Sequence, residues 1–192
     1  GLAPRFREPY PTFVQSAMAG DVSGQMNLAL LSQQIASTLA RAGKVDEAYA
    51  FVLQSGRALR AGMPGGAELL PAEAIANIYF NEAGALARSG QATEAVSAID
   101  DAIANGFAEL SVVDNEPEFA SVREAEGFSR HMEAWQQAVK ERVLAEARRD
   151  LEKGETFPFE FSGTDIQGTE QSLAALKGKV VIVDFWGTWC PP

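Results

Sequence analysis

A single cysteine, Cys190, follows the apolar run Val180-Val181-Ile182-Val183-Asp184-Phe185-Trp186 and stands in the sequence Trp189-Cys190-Pro191-Pro192. Its chemistry depends on its flanks. The run is rich in β-branched residues and has no helical period, so it reads as a strand buried on both faces. Pro191 and Pro192 fit the first turn of a helix, where a missing N–H and a fixed φ cost little. A cysteine at a helix start faces unpaired backbone N–H groups and the positive end of the helix dipole. Both favour thiolate over thiol and lower the pKa from about 8.5 toward roughly 3.5–7.5. That thiolate is a nucleophile toward a disulfide. Asp184 is the second candidate, because a carboxyl inside an apolar strand bears a desolvation cost unless paired, and its pKa should rise.

The segment before the strand must present these residues. Phe157-Pro158-Phe159-Glu160-Phe161 reads as an alternating strand, Asp165-Ile166-Gln167-Gly168 as a turn, and Ser172-Leu173-Ala174-Ala175-Leu176-Lys177-Gly178 as a capped helical turn. With the strand and Trp189-Cys190-Pro191-Pro192, this order resembles the thioredoxin superfamily and, within it, the TlpA/ResA-like thiol-disulfide oxidoreductases, whose active site is commonly Trp-Cys-Pro-Pro-Cys. The resemblance covers Gly154 to Pro192. It implies an entry hairpin, a short helix and the central strand of an α/β domain, with Cys190 as attacking nucleophile and Trp189, Pro191 and Pro192 as its active-site frame. It also implies a resolving cysteine one residue beyond Pro192. In classical thioredoxins an aspartate placed like Asp184 handles that cysteine's proton, whereas many TlpA-like relatives have asparagine there; the alternative is a strand-end carboxylate that reaches solvent or caps a neighbouring element. The substrates implied are protein disulfides or a redox partner protein, and the compartment is extracytoplasmic in a bacterium, where disulfides persist.

By the same resemblance the active-site helix, a cis-proline loop and the rest of the sheet are missing. A segment below about 40 residues rarely buries enough surface to fold alone. The chain also begins at Gly1 without an initiator Met, so it reads as a fragment clipped at both ends. Alone it is expected to be inactive as a dithiol reductase, with Cys190 near the ordinary thiol value of about 8.5. The strand from Lys179 to Trp186 is expected to pair with the Phe157–Phe161 strand, to lie against the helical region or to pair between chains.

Residues 1–152 differ in character, being rich in Ala, Leu, Gln and Glu with apolar residues at three- and four-residue spacing, which indicates helix. Two stretches share a template: Thr38-Leu39-Ala40-Arg41-Ala42-Gly43-Lys44-Val45-Asp46-Glu47-Ala48 and Ala85-Leu86-Ala87-Arg88-Ser89-Gly90-Gln91-Ala92-Thr93-Glu94-Ala95. Each is a helix end, a glycine, and a second helix with Glu-Ala in its first turn. They resemble tetratricopeptide repeats, where glycine permits the close turn and alanines let helices approach. Gly43 and Gly90 lie 47 positions apart, and the excess over a repeat of roughly 34 is assigned to a Gly- and Pro-rich loop from Arg60 to Pro71. A third unit begins with Ile99 to Asn105 and ends in Gly106-Phe107, after which Leu110 to Phe128 carries the turn-rich stretch Asp114-Asn115-Glu116-Pro117-Glu118-Phe119; it resembles the half-repeat that ends such arrays. In the last helix Phe128, Met132, Trp135, Val139, Val143 and Leu151 form one stripe, read as a packing seam.

Sixteen basic against 26 acidic residues give a net charge of −10, which argues against nucleic-acid binding. His131 is the sole histidine and has no cysteine or carboxylate cluster at metal spacing; neither a metal nor a cofactor is expected. No apolar run is long enough to span a membrane, which takes about 18 residues. A peroxiredoxin-type site is disfavoured, since that family's cysteine lies in Pro-x-x-x-Thr-x-x-Cys and here Thr188 is two residues before Cys190. The expected fold is therefore mainly α: a tetratricopeptide-like helical-hairpin array over residues 1–152, then the truncated start of a thioredoxin-like domain over 153–192. The functional expectation is a thiol-disulfide oxidoreductase whose helical domain docks a partner or orients the redox domain. The alternative is an interaction scaffold with a degenerate redox domain.

Overall fold

Two units meet between Glu146 and Ala147 in the computed structural model, which describes residues 9–153 and 160–181. The fold is mainly α. The first unit holds α1 (Pro9–Met18), α2 (Val22–Arg41), α3 (Val45–Gly66), α4 (Ala72–Arg88), α5 (Ala92–Ala104) and the short α6 (Ser111–Asn115) and α7 (Ala120–Arg123). The last helix, α8 (Phe128–Lys153), begins there and ends past the unit boundary. The second unit holds, among the described residues, one antiparallel pair, β1 (Ser162–Thr164) and β2 (Glu170–Ser172), followed by a 3-10 turn over Leu173–Leu176.

Asp21 starts α2 by accepting the Gly24 N–H on its side chain at 2.9 Å. The helix ends at Gly43, whose φ of 75° suits the residue after a C-cap. There the Lys44 N–H donates to the Leu39 carbonyl at 2.9 Å and the Gly43 N–H to that of Ala40 at 3.0 Å. Gly90, with φ 77°, ends α4 in the same way, with Gln91 bonded to Leu86 and Gly90 to Ala87, both at 3.0 Å. The shared sequence template therefore produces two like helix turns. Across them α2 packs on α3 and α4 on α5, and α3 also packs on α4.

Two apolar clusters fill the first unit. Leu28, Ala29, Ala58, Leu59, Ile75, Ile78 and Tyr79 belong to one; Ala83, Ala87, Ala95, Ala98, Ile99, Phe119 and Trp135 belong to the other. Phe80 touches both and stacks on Phe107 with ring centroids 3.8 Å apart. The Ser55 hydroxyl, buried in α3, donates to the Ala29 carbonyl of α2 at 2.8 Å, which satisfies both helices.

The stretch from Arg60 to Pro71 departs from the expected loop. Arg60 to Met63 continue α3; helical geometry fails from Pro64 to Gly66, and a 3-10 turn over Ala67–Leu69 leads to extended backbone at Leu70 and Pro71. Helix persists here because α2 lies close alongside: a Cβ at Gly66 would collide with Val22 and Met26, and one at Gly62 would press on Met26 at 3.2 Å. The α8 stripe is also shorter than its sequence pattern. Met132 and Trp135 are buried, and the Trp135 indole donates to Asp100 at 2.6 Å, but Val143 is 52 % and Leu151 81 % exposed. Arg142 completes the docking of α8, donating to the carbonyls of Ile103 (2.6 Å), Gly106 and Phe107 (both 2.9 Å) at the end of α5.

Ala95 is fully buried in the cluster that holds Ala83 and Ala87 of α4. Ala95→Phe should overfill this contact and lower unfolding free energy by roughly 1–3 kcal/mol. A denaturant midpoint unchanged by the substitution would contradict close packing of α4 on α5.

Candidate functional site

In the second unit the segment that precedes Lys179 is organised by one carboxylate. Asp165 follows β1, and its Oδ1 accepts the N–H groups of Gln167 and Thr169, both at 2.9 Å, while Oδ2 accepts from the Gln171 side chain at 3.0 Å. Its own N–H donates to the Thr169 carbonyl at 2.9 Å. These contacts close the loop and set the register Thr164 opposite Glu170 and Ser162 opposite Ser172. The Thr169 N–H, with Gln171 and Gln167 adding to it, holds the Asp165 carboxyl below the usual carboxylate value. The expected turn at Asp165–Gly168 is thus present.

Ser172 ends the ladder and starts the 3-10 turn, its hydroxyl accepting the Ala175 N–H at 3.3 Å. The Leu173 N–H returns to the Phe161 carbonyl at 3.0 Å. Gly178, with φ 85°, redirects the chain beyond the turn. The capped helical turn from Ser172 to Gly178 is accordingly where the sequence puts it. The expected strand at Phe157–Phe161 differs: Glu160 and Phe161 lie outside the ladder, residues 157–159 lie outside the described residues, and β1 is Ser162–Thr164. Pairing extends no further because the partner strand stops where Ser172 turns to cap. Lys179 to Val181 form no strand, and Val180 is 96 % exposed. The rest of the expected central strand lies outside the described residues, as do the sequence-predicted site residues Asp184, Trp189, Cys190, Pro191 and Pro192.

The helical unit holds a charged cluster that the sequence reading missed. Glu82 on α4 is only 5 % exposed, and the Nη1 of Arg60 on α3 donates to both its oxygens, at 2.8 and 2.6 Å. Nη2 of Arg60 reaches Asp101 of α5 at 3.0 Å, and the guanidinium lies 4.9 Å from the centroid of the Tyr79 ring. Gly56 makes the room: a Cβ there would collide with the Glu82 carboxylate. The two partners shift in ways that do not mirror each other. Burial pushes Glu82 above the usual carboxylate value, and Arg60 offsets only part of that. Burial also opposes the Arg60 charge, but Glu82 and Asp101 together outweigh it and raise the guanidinium. The direction that follows from the geometry for Glu82 is upward, because its carboxylate is nearly sealed from water while its partner is half open. The available signals were a glycine in the middle of a helix and a glutamate one residue before the buried Ala83. Half-buried His131 packs on Trp135, their rings 5.7 Å apart, and no metal-binding group of side chains occurs among the described residues.

Over a fifth of its length the chain is similar to thiol-disulfide oxidoreductases, which supports a thioredoxin-like redox family for that stretch. The relatives are ResA proteins. That of Geobacillus kaustophilus is 49 % identical over 39 residues, 20 % of this chain and 22 % of the relative. That of Bacillus thuringiensis strain Al Hakam is 53 % identical over 32 residues, 17 % of this chain and 18 % of the relative. That of Geobacillus thermodenitrificans is 46 % identical over 39 residues, 20 % and 22 % of the two chains. The chain therefore spans about a fifth of the length of the curated relatives it matches. No family model matches the chain, and no solved structure does.

A carboxylate whose folded-state pKa is lowered stabilises the fold above its unfolded value and loses that contribution as pH falls through the folded value. Asp165 should therefore titrate below 3.8, followed by NMR at its side-chain carbonyl carbon. The cross-strand contacts of Ser162 with Ser172 should fade only beneath that midpoint. In Asp165→Ala they should be lost at neutral pH. A midpoint at or above 3.8 would remove Asp165 as the organiser of the hairpin.

Proposed function

We propose that the intact protein is a thiol-disulfide oxidoreductase of the TlpA-like type, with residues 153–192 as the start of its redox domain and 1–152 as a helical domain that docks a partner or orients the redox domain. The observation carrying this reading is the identity to ResA proteins, 49 % over 39 residues, together with Trp189-Cys190-Pro191-Pro192. In the reaction, the Cys190 thiolate attacks one sulfur of a substrate disulfide. A mixed disulfide forms and the other substrate sulfur leaves as thiolate. A second thiol then attacks Cys190 Sγ and releases the reduced substrate, leaving a disulfide between Cys190 and that thiol; an external dithiol returns the protein to its reduced form. Cys190 is the sole cysteine of these 192 residues, so the second thiol comes from outside them. Asp184 takes the proton of that thiol. No helix among the described residues is long and apolar enough to cross a membrane. The extracytoplasmic location of the intact protein is part of the same proposal and rests on the family.

The test is insulin reduction with dithiothreitol by the full gene product and by its Cys190→Ser and Asp184→Asn variants. Cys190→Ser should fall to the uncatalysed rate. Asp184→Asn should slow turnover and leave mixed disulfide on Cys190 detectable by mass. Undiminished turnover by Cys190→Ser would overturn the mechanism. A full product that captures a partner through residues 1–152 and shows no turnover would favour the scaffold reading instead.

A further inference from the structure

The Arg60 cluster joins three helices through one side chain, which holds Glu82 through Nη1 and Asp101 through Nη2 at the same time. Arg57 and Arg60 of α3, Tyr79 of α4 and Asp101 of α5 are the charged and titratable groups around Glu82. Glu82 is sealed while Arg60 and Asp101 keep about two-fifths of their side-chain surface open, at 39 % and 41 %. A neutral Glu82 accepts from Arg60 through one oxygen only, so the contact of Nη1 with both oxygens is lost. Asp101 and the face of Tyr79 still hold the guanidinium. We propose that Arg60 is a two-point clamp: with Glu82 ionised it pins α3 to both α4 and α5, and with Glu82 protonated it keeps its hold on Asp101 while the α3–α4 contact loosens and the fold persists.

The sign of the linkage agrees with a switch rather than with acid unfolding. Burial raises Glu82 in the folded chain, so the folded state takes up the proton before the unfolded state does. This group's contribution is full below the unfolded value and is lost as pH rises through the folded one. Mild acid therefore opens the clamp without costing stability at Glu82.

The test uses the full 192-residue chain, with NMR of the Glu82 carboxyl carbon and the Arg60 guanidinium from neutral to mildly acid pH. Glu82 should titrate above its ordinary 4.5. The protection of the Arg60 N–H groups, taken relative to the intrinsic exchange rate at each pH, should fall by about tenfold at the same midpoint, as expected for loss of one charge-assisted hydrogen bond. Amide protection in Gly56–Arg60 and Tyr79–Glu82 should fall with it while helical circular dichroism holds. Glu82→Gln should show the open state at neutral pH. Asp101→Asn weakens the second hold, so protection of the Arg60 N–H groups should fall further in acid than in the wild type while helical circular dichroism holds. A Glu82 midpoint at or below 4.5, or a Glu82→Gln chain whose Arg60 signals match the ionised wild type, would overturn the clamp.

Discussion

Helices that approach to within backbone reach of one another leave room only for small side chains, and the helical unit is built on this constraint. Ala95, Ala98 and Ala102 along α5 are wholly buried, and Ala83 of α4 is equally closed. Each such residue contributes little apolar area of its own, so cohesion comes from the larger groups that the close approach lets meet. Phe80 meets both Phe107 and Phe119, with ring centroids 3.8 and 5.3 Å away. Gly56 and Gly66 extend the same logic to α3, one beneath a carboxylate and the other beneath Val22 and Met26.

The pair made by Glu82 and Arg60 sits inside that packing at an energetic disadvantage. Removing one member of a buried ion pair costs about 3–5 kcal/mol, yet replacing both by apolar groups is often neutral or stabilising. Arg60 is partly exposed, so screening by solvent reduces the lower of those figures further. What the pair supplies is direction. An apolar contact between α3 and α4 tolerates sliding by a turn, whereas a guanidinium that must meet Glu82 and Asp101 together fits one register only.

The helix turns were legible in the sequence because their signal is local. Leu39 to Ala48 and Leu86 to Ala95 each carry the glycine that accepts a positive φ, next to the residues whose carbonyls it closes. The Asp165 turn and the Ser172 cap were legible for the same reason, since donor and acceptor lie within four residues. Features set by distant partners were not. The continuation of α3 through Met63 depends on Met26, and nothing within Arg60 to Pro71 announces it. Periodicity on α8 reported an apolar stripe through Leu151, but the surface it packs on ends near Val139. Glu82 escaped notice because Arg60 lies 22 residues away on another helix. For the redox motif, sequence pattern and similarity to ResA proteins remain the whole of the support, as its residues fall outside those described.

The reach of the side-chain hydrogen bonds has a kinetic consequence. The bond between Asn81 and Gln33 joins residues 48 positions apart, and those that seat α8 on α5 span between 35 and 39. Chains whose contacts are this local lose little loop entropy before each contact forms, and they fold fast. Hairpin by hairpin, the helical unit is expected to assemble as it leaves the ribosome, so that α8 arrives at a surface already built when the residues after Lys153 are being synthesised.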